Sequence, residues 1–454
     1  MNTRTITRRD FLKKAGAAAA VIGAAPVVAA CGGAAAPTSA PAPAATTAPA
    51  APAAKSIKGT KFQMFWMEPS IAASKEAQVK AANEWAAAAG VELSMETLAL
   101  AEWAAKLATM AETKQGADIV HMYTMDVAVN AGVMMDVTDL ADELGQKMGG
   151  WYEGIKQVCI RDGKWKALPA AIYGQYWHYR TDLFKEVGAD KFPETWEELH
   201  QIGKKLKAKG NPIGFTLGHA VTDGATHCYS LLWSYGGKEL EADGKTIALD
   251  SPETLKCLEF FQAFYKDALD EDSFSWNEAG NNQAFNSKKA CATNNANTVY
   301  MGLLTNDPEL AKVTSIGPTP KGPAGAFQYM SSQYWGIPTY SKNPEAAKAF
   351  LRDSYYTIPF QVAFTKAGNG YNLPSFGALE KEDGAWPADP KLAAARTLAK
   401  GVRMPGYAGP FTQVIGQSMN KFLIIDMLAK VAQGTAPKEA IKWAVNEMNV
   451  LMKG

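Results

Sequence analysis

Four aromatic rings, Tyr173, Tyr176, Trp177 and Tyr179, and one histidine, His178, crowd between Pro169 and Asp182. Large flat rings cost little entropy to hold still and offer apolar faces with polar edges. Combined with planar amides and carboxylates, they suit a solute that stacks through C–H faces and hydrogen-bonds through hydroxyls. The order of residues in Leu168–Phe184 fits neither an amphipathic helix nor a plainly alternating strand. The plainer reading is a buried strand whose rings are core. Its position between two segments that each read as half of an α/β domain instead suggests a crossing strand that lines a cleft.

Motifs for bond-breaking chemistry are missing. The chain has no G-x-S-x-G, no H-E-x-x-H and no phosphate loop. Cys31, Cys159, Cys228, Cys257 and Cys291 form no C-x-x-C pair and no cysteine-histidine spacing suited to zinc. No catalytic residue, metal ligand or cofactor is therefore expected, and the chain is read as a non-enzyme. A carboxylate pair has no linear signature, so a secreted glycosidase stays open as an alternative. The last four cysteines can pair in three ways or remain buried thiols.

The elements that would position these groups alternate. Lys61–Met67 reads as a strand, Ile71–Ala89 as a helix closed by Gly90, Val91–Leu98 as a strand, Trp103–Thr113 as a helix and Asp118–Tyr123 as a strand. This order predicts a mostly parallel sheet with ligands at the carboxyl ends of its strands, placing Trp66, Glu68, Tyr123 and Asp126 on one rim. Thr195-Trp196-Glu197-Glu198 matches a capping box opening a helix that stops at Gly210. Asn211–Leu217 reads as a strand, and the next helix holds Cys228 and Trp233. Ser251-Pro252-Glu253 starts a helix with a core stripe of Leu255, Leu258, Phe261 and Phe264. A helix, a turn and a strand follow over 284–295, then the strand Gln333–Pro338 and a helix from Asn343-Pro344. A loop over Asn369–Pro374 precedes helices at 391–401, 415–431 and 437–452.

The N-terminus carries a paired-arginine region, Thr7-Arg8-Arg9-Asp10-Phe11-Leu12-Lys13, and an apolar run over 15–30. That run falls short of the about 20 residues a spanning helix needs, so it reads as an export signal. It resembles a twin-arginine signal, and Val28-Ala29-Ala30-Cys31 resembles a lipobox whose cysteine is acylated. Residues 1–31 are thus expected to be a lipoprotein signal peptide, with Cys31 the lipidation site. Localisation would be extracytoplasmic, anchored by lipid to the outer face of the cytoplasmic membrane. Residues 32–58, nearly all Ala, Pro, Thr, Gly and Ser, read as an extended tether. The roughly 395 residues beyond exceed one core and imply two lobes. The first 31 residues hold five of the 46 basic and one of the 45 acidic side chains. The remainder is thus about three charges to the acidic side, which gives no sign of nucleic acid as a partner.

These segments together resemble family 1 extracellular solute-binding proteins of ABC importers, the maltose-binding type, over residues 59–454. The marks are Ala117-Asp118-Ile119-Val120, Leu168-Pro169, Tyr179–Phe184, Thr195–Leu199, Ala284–Ala290, Ile337-Pro338 and Ser341–Ala347. The resemblance implies an α/β, type II periplasmic-binding-protein fold, two lobes with the ligand cleft between them. The chain would cross near 170–173, 329–331 and 376–380. The N-terminal lobe would comprise 59–170 and 331–376, and the C-terminal lobe 171–330 and 377–454. Closure about a hinge on a small-molecule carbohydrate, delivery to ABC transporter permease subunits and a monomeric state are also implied.

Carried over by position, Tyr123 and Asp126 match a loop that meets sugar hydroxyls, Tyr173 a polar contact after the proline, and Asn295 a site amide. Asn297 and Thr298 stand where maltose-type members place Pro-Trp, which argues against a maltodextrin. Tyr407 and Phe411 substitute for a late-loop ring, and Gln333 stands where several members hold a tryptophan. Trp335 on the same strand and Tyr371 in the Asn369–Pro374 loop complete the candidates. A non-sugar solute, glycerol phosphate or a polyamine, remains an alternative; the first would need a cationic cluster and the second a carboxylate box.

Overall fold

The computed structural model describes residues 56–98, 100–220 and 222–453, without the side chains of residues 100 and 101. The expected signal peptide, Cys31 and almost all of the tether lie outside the described residues. The body comprises β1 (Lys61–Met67), β2 (Glu92–Leu98), β3 (Ile119–Tyr123), β4 (Ile160–Arg161), β5 (Lys164–Trp165) and β6 (Leu168–Tyr173). There follow β7 (Gln175–Arg180), β8 (Ile213–Gly214), β9 (Ala292–Ala296), β10 (Thr314–Gly317), β11 (Ser332–Gly336) and β12 (Asn372–Leu373). Two sheets carry the architecture, one of six strands ordered β12-β6-β11-β3-β1-β2 and one of four ordered β10-β7-β9-β8. Among the described residues no helix is long and apolar enough to cross a membrane.

The aromatic run is where the chain changes sheet. β6 belongs to the six-stranded sheet and β7 to the four-stranded one, with Gly174 alone between them. A Cβ at Gly174 would lie 2.6 Å from the Gly370 carbonyl oxygen, so only glycine lets the two segments approach this closely. A second passage runs from β10 through 329–331 into β11. The two crossings touch, the Tyr173 N–H donating to the Ser331 carbonyl (2.9 Å), and the first is also tied to the segment before β12, the Gly174 N–H donating to the Tyr371 carbonyl (2.9 Å).

Five expectations change. The six-stranded sheet is mixed: β2, β1 and β3 are parallel, but β11 runs antiparallel to β3 and β6, and β12 antiparallel to β6. β11 comes from β10 of the other sheet and so lacks the long crossover that a parallel neighbour needs, while β12 follows β11 through the helices Pro344–Phe350 and Ile358–Gly368 and shares its direction. The third crossing comes later than 376–380. Helical turns at Ala378–Lys381 and Asp383–Ala385 still pack on the Ile358–Gly368 helix, and the Ala378 N–H bonds the Met148 carbonyl (2.9 Å). The chain is tied to a helix of the other sheet at Asp389, which accepts a hydrogen bond from the Tyr300 hydroxyl (2.8 Å). The Asn211–Leu217 strand shrinks to Ile213–Gly214, paired with β9, while the Asn369–Pro374 loop contributes the short β12. The late helix over 415–431 is two helices, Gln413–Asn420 and Leu423–Ala432, separated by Phe422 at φ +55°.

Local signals hold. Thr195 and Glu198 form the capping box, with the Glu198 N–H on the Thr195 hydroxyl (3.1 Å) and the Thr195 N–H on the Glu198 carboxylate (3.2 Å). Gly90 closes the Ala72–Ala89 helix in the left-handed region. Cys159, Cys228, Cys257 and Cys291 are buried and unpaired with one another, their thiol pKa values pushed up by burial.

Candidate ligand cavity between the two sheets

A cavity of about 250 Å³ opens where β3 ends and the second crossing passes. Trp103 and Ala104 of the Leu100–Thr113 helix form one wall. Tyr123, Thr124, Met125 and Asp126, at the end of β3 and the start of the Thr124–Asn130 helix, form the floor. Tyr329 and Ser331 come from the second crossing. Thr222 and Glu278 close it from the side of the four-stranded sheet. Both sheets and the segment joining them therefore contribute.

The rings are set by their neighbours. Trp103 stacks on Phe65 of β1 (6.4 Å between centroids) and meets Tyr123 edge to face (5.7 Å). Tyr173 lies behind, 6.1 Å from Tyr123 and 4.7 Å from Tyr371. Its ring is 5 % exposed, and its hydroxyl, beside that of Tyr123, makes no hydrogen bond. Burial pushes its pKa well above the ordinary phenol value.

Carboxylates supply the polar side. Asp126, half-buried, turns back to accept the Tyr123 N–H (2.9 Å); burial raises its pKa from 3.8 to about 6. Glu278 accepts the N–H groups of Thr222 (2.8 Å) and Asp223 (3.3 Å) and also the Thr222 hydroxyl. Immediately behind, Asp223 is buried and bonded by the Asn295 amide (2.7 Å). Burial first, then the charge of Glu278, pushes the Asp223 carboxyl well above the usual range. The Thr124 hydroxyl and the Trp103 indole N–H, both buried and both from wall residues, have no protein partner.

Of the residues expected from sequence, Tyr123 and Asp126 line this cavity. Tyr173 and Tyr371 stand behind it, Tyr371 donating its hydroxyl to Ser70 (3.2 Å). Asn295 acts one layer back, through Asp223. Gln333 sits opposite Tyr123 in the β11–β3 ladder, buried at the rim.

The other expected residues lie away from this cavity. Trp66 is buried on the face of β1 that it shares with Phe62, opposite the Phe65 face that meets Trp103; alternation along the strand decides this. Trp335 stacks on His121 (4.4 Å) and meets Phe350 and Tyr355 edge-on, so it is core. Phe411 is likewise buried, under the Arg161 guanidinium. Tyr407 is taken by Arg403, whose guanidinium lies 3.7 Å from its ring and 3.4 Å from that of Phe327. Asn297 spends its amide on the Asn369 carbonyl (2.6 Å), and exposed Glu68 pairs with Lys75.

The sequence reading missed Trp103, Thr124, Thr222, Glu278, Tyr329 and Ser331 as wall residues. For Tyr329 and Ser331 a signal existed, because the crossing itself was placed at 329–331. Thr222 and Glu278 are 56 residues apart and meet only through packing.

Two sheets joined by crossings that touch, with a cavity walled from both sides, define a two-lobed solute-binding protein. The chain belongs to the bacterial extracellular solute-binding proteins, whose family model matches residues 68–352. A probable ABC transporter-binding protein of Deinococcus radiodurans is 24% identical over 280 residues, 60% of this chain and 66% of that one. A protein of Brucella abortus, named only as a binding protein, is 31% identical over 122 residues, 27% of this chain and 29% of its own length. The chain thus spans less than two thirds of these relatives' lengths. Among solved structures, maltose-bound MalE3 of T. maritima superposes with a TM-score of 0.70 at 20% identity, over 86% of this chain and all of that one. The cyclic α-maltosyl-1,6-maltose binding protein of Arthrobacter globiformis gives 0.73 at 18%, over 87% of this chain and all of its own. These structures share the two-lobed fold.

Proposed function

We propose that this chain is the extracytoplasmic substrate-binding component of an ABC importer, capturing a short carbohydrate in the cavity at Tyr123 and Asp126 and handing it unaltered to the permease. The observation that carries this reading is a cavity that joins rings (Trp103, Tyr123, Tyr329) to carboxylates (Asp126, Glu278) across two sheets. Rings stack on sugar C–H faces, while carboxylates and hydroxyls take the sugar hydroxyls. Its volume is at the small end of ligand pockets, which favours a short ligand. The description of the Deinococcus radiodurans relative as a probable ABC transporter-binding protein and the maltose and maltosyl-maltose ligands of the structural neighbours support the same reading. Among the described residues no lysine or arginine lines the cavity, which speaks against glycerol phosphate.

In this reading the N-terminal lobe comprises 59–170 and 331–385, the C-terminal lobe 171–330 and 386–454, and the lobes close about the touching crossings. Export by the twin-arginine-type signal over 1–31, acylation at Cys31 and a tether to 58 would present a monomeric receptor at the membrane. Titration calorimetry of the full chain against mono- and disaccharides tests the central claim: saturable heat without product is expected, and hydrolysis or a flat response across the panel refutes it. Equal release of wild type and Cys31→Ser into the soluble fraction would remove the anchor.

A further inference from the structure

The cavity is lopsided in charge. Asp126 and Glu278 face it, and among the described residues that line it there is no lysine, arginine or histidine. Glu278 is held in place by two N–H groups and a hydroxyl, so its position does not depend on a cationic side chain. Asp126 likewise has only the Tyr123 N–H. The other cationic side chains near the crossings are engaged: Arg403 lies between Phe327 and Tyr407, and Lys75 pairs with Glu68. A neutral sugar would leave these carboxylates balanced only by its hydroxyl donors. A protonated amine would meet them with charge-assisted hydrogen bonds, about twice as strong. The rings of Trp103, Tyr123 and Tyr329 add faces that attract a cation. A separate observation is the Thr124 hydroxyl, which is buried on the cavity floor and makes no well-formed hydrogen bond among the described residues, so it is open to a ligand.

We infer that the carbohydrate held here carries a protonated amine, an amino sugar whose ammonium sits between Asp126 and Glu278 while its ring stacks on the aromatic wall. The inference rests on the carbohydrate-binding reading and narrows its substrate class. Burial raises the pKa of Asp126 from 3.8 to about 6, and a neighbouring ammonium would lower it again, so uptake of an amine would release protons where Asp126 is still partly protonated, at about pH 6 and below.

The test uses the full chain and two disaccharides of the same shape, the β-1,4-linked glucosamine dimer and cellobiose, which differ only in ammonium for hydroxyl at two carbons. At about pH 7 the glucosamine dimer should bind about tenfold tighter, the step expected when neutral hydrogen bonds become charged ones. In Glu278→Gln the preference, read as the ratio of the two affinities so that any loss common to both sugars cancels, should fall to about threefold or less. Should that variant fold poorly, wild type decides: raising salt should erode the preference, because screening acts on the charge and not on the shape. Equal affinity for the two sugars, or heat from neither, overturns the inference. Equal and measurable affinity leaves the carbohydrate reading standing. Binding of spermidine with no response to either sugar overturns both, since an amine without a sugar ring would then be the ligand.

Discussion

Replacing Tyr173 by phenylalanine separates packing from ligand contact at the first crossing. The ring is 5 % exposed and wedged between Tyr371 (4.7 Å) and Tyr123 (6.1 Å), while the hydroxyl has no partner. A buried hydroxyl without a hydrogen bond costs on the order of 1 to 3 kcal/mol, so deleting it from the ligand-free protein should be neutral or stabilise by about 1 kcal/mol. For a body of this size that is a rise in Tm of about 1 to 2 °C. Tyr173→Ala removes the ring as well and should cost about 3 to 5 kcal/mol, the range for large-to-small aromatic substitutions. Alanine should also weaken ligand binding, because Tyr123 on the cavity floor loses its neighbour; phenylalanine should leave affinity within about twofold. Melts with and without saturating sugar, together with calorimetric titration, read both quantities. If Tyr173→Phe keeps its melting temperature but loses about tenfold in affinity, the hydroxyl is a ligand contact and the packing argument is wrong.

Two further perturbations follow from buried carboxylates. Glu239 is fully buried, accepts the Tyr229 hydroxyl (3.1 Å) and the Gly406 N–H, and has its pKa raised by burial from 4.5 to about 7. The folded state therefore holds this proton more tightly than the unfolded state. Its contribution is fully present below about pH 4.5 and is lost as pH rises to about 7, a change of about 3 kcal/mol. Glu239→Gln should flatten that part of the stability profile measured by denaturant titration at several pH values, and an unchanged slope would refute the assignment. Asp118 is buried at the start of β3 and accepts five hydrogen bonds, from the N–H groups of Gln63, Lys342 and Asn343, the Ser341 hydroxyl and the Asn343 amide. Asp118→Ala strands these donors and should cost about 3 kcal/mol or more without changing ligand affinity in the fraction that remains folded. A melting temperature equal to wild type would count against it.

What the sequence determined by itself was whatever a few adjacent residues decide. Thr195 and Glu198 close a capping box across three residues, Pro252 opens a helix after Ser251, and Gly90 ends one in a left-handed conformation, so each could be read before any packing was known. The first crossing was legible for a related reason: the aromatic run had no single period, and it proves to be two strands in two sheets joined at Gly174. The family resemblance located the Ala117-Asp118 and Ser341–Asn343 segments, but only the tertiary structure shows that one is the hydrogen-bond acceptor for the other, 223 to 225 residues away. The same holds for the cavity. Tyr123 and Asp126 could be placed at a strand end, yet Trp66 and Trp335, equally aromatic and also on strands, face the core because the covering helices lie on that side. Glu278 reaches Thr222 and Asp223 across 55 to 56 residues, and the Asn295 amide reaches Asp223 across 72. No local propensity encodes such meetings. They depend on how helices and sheets settle against one another, which is a property of the whole packed chain.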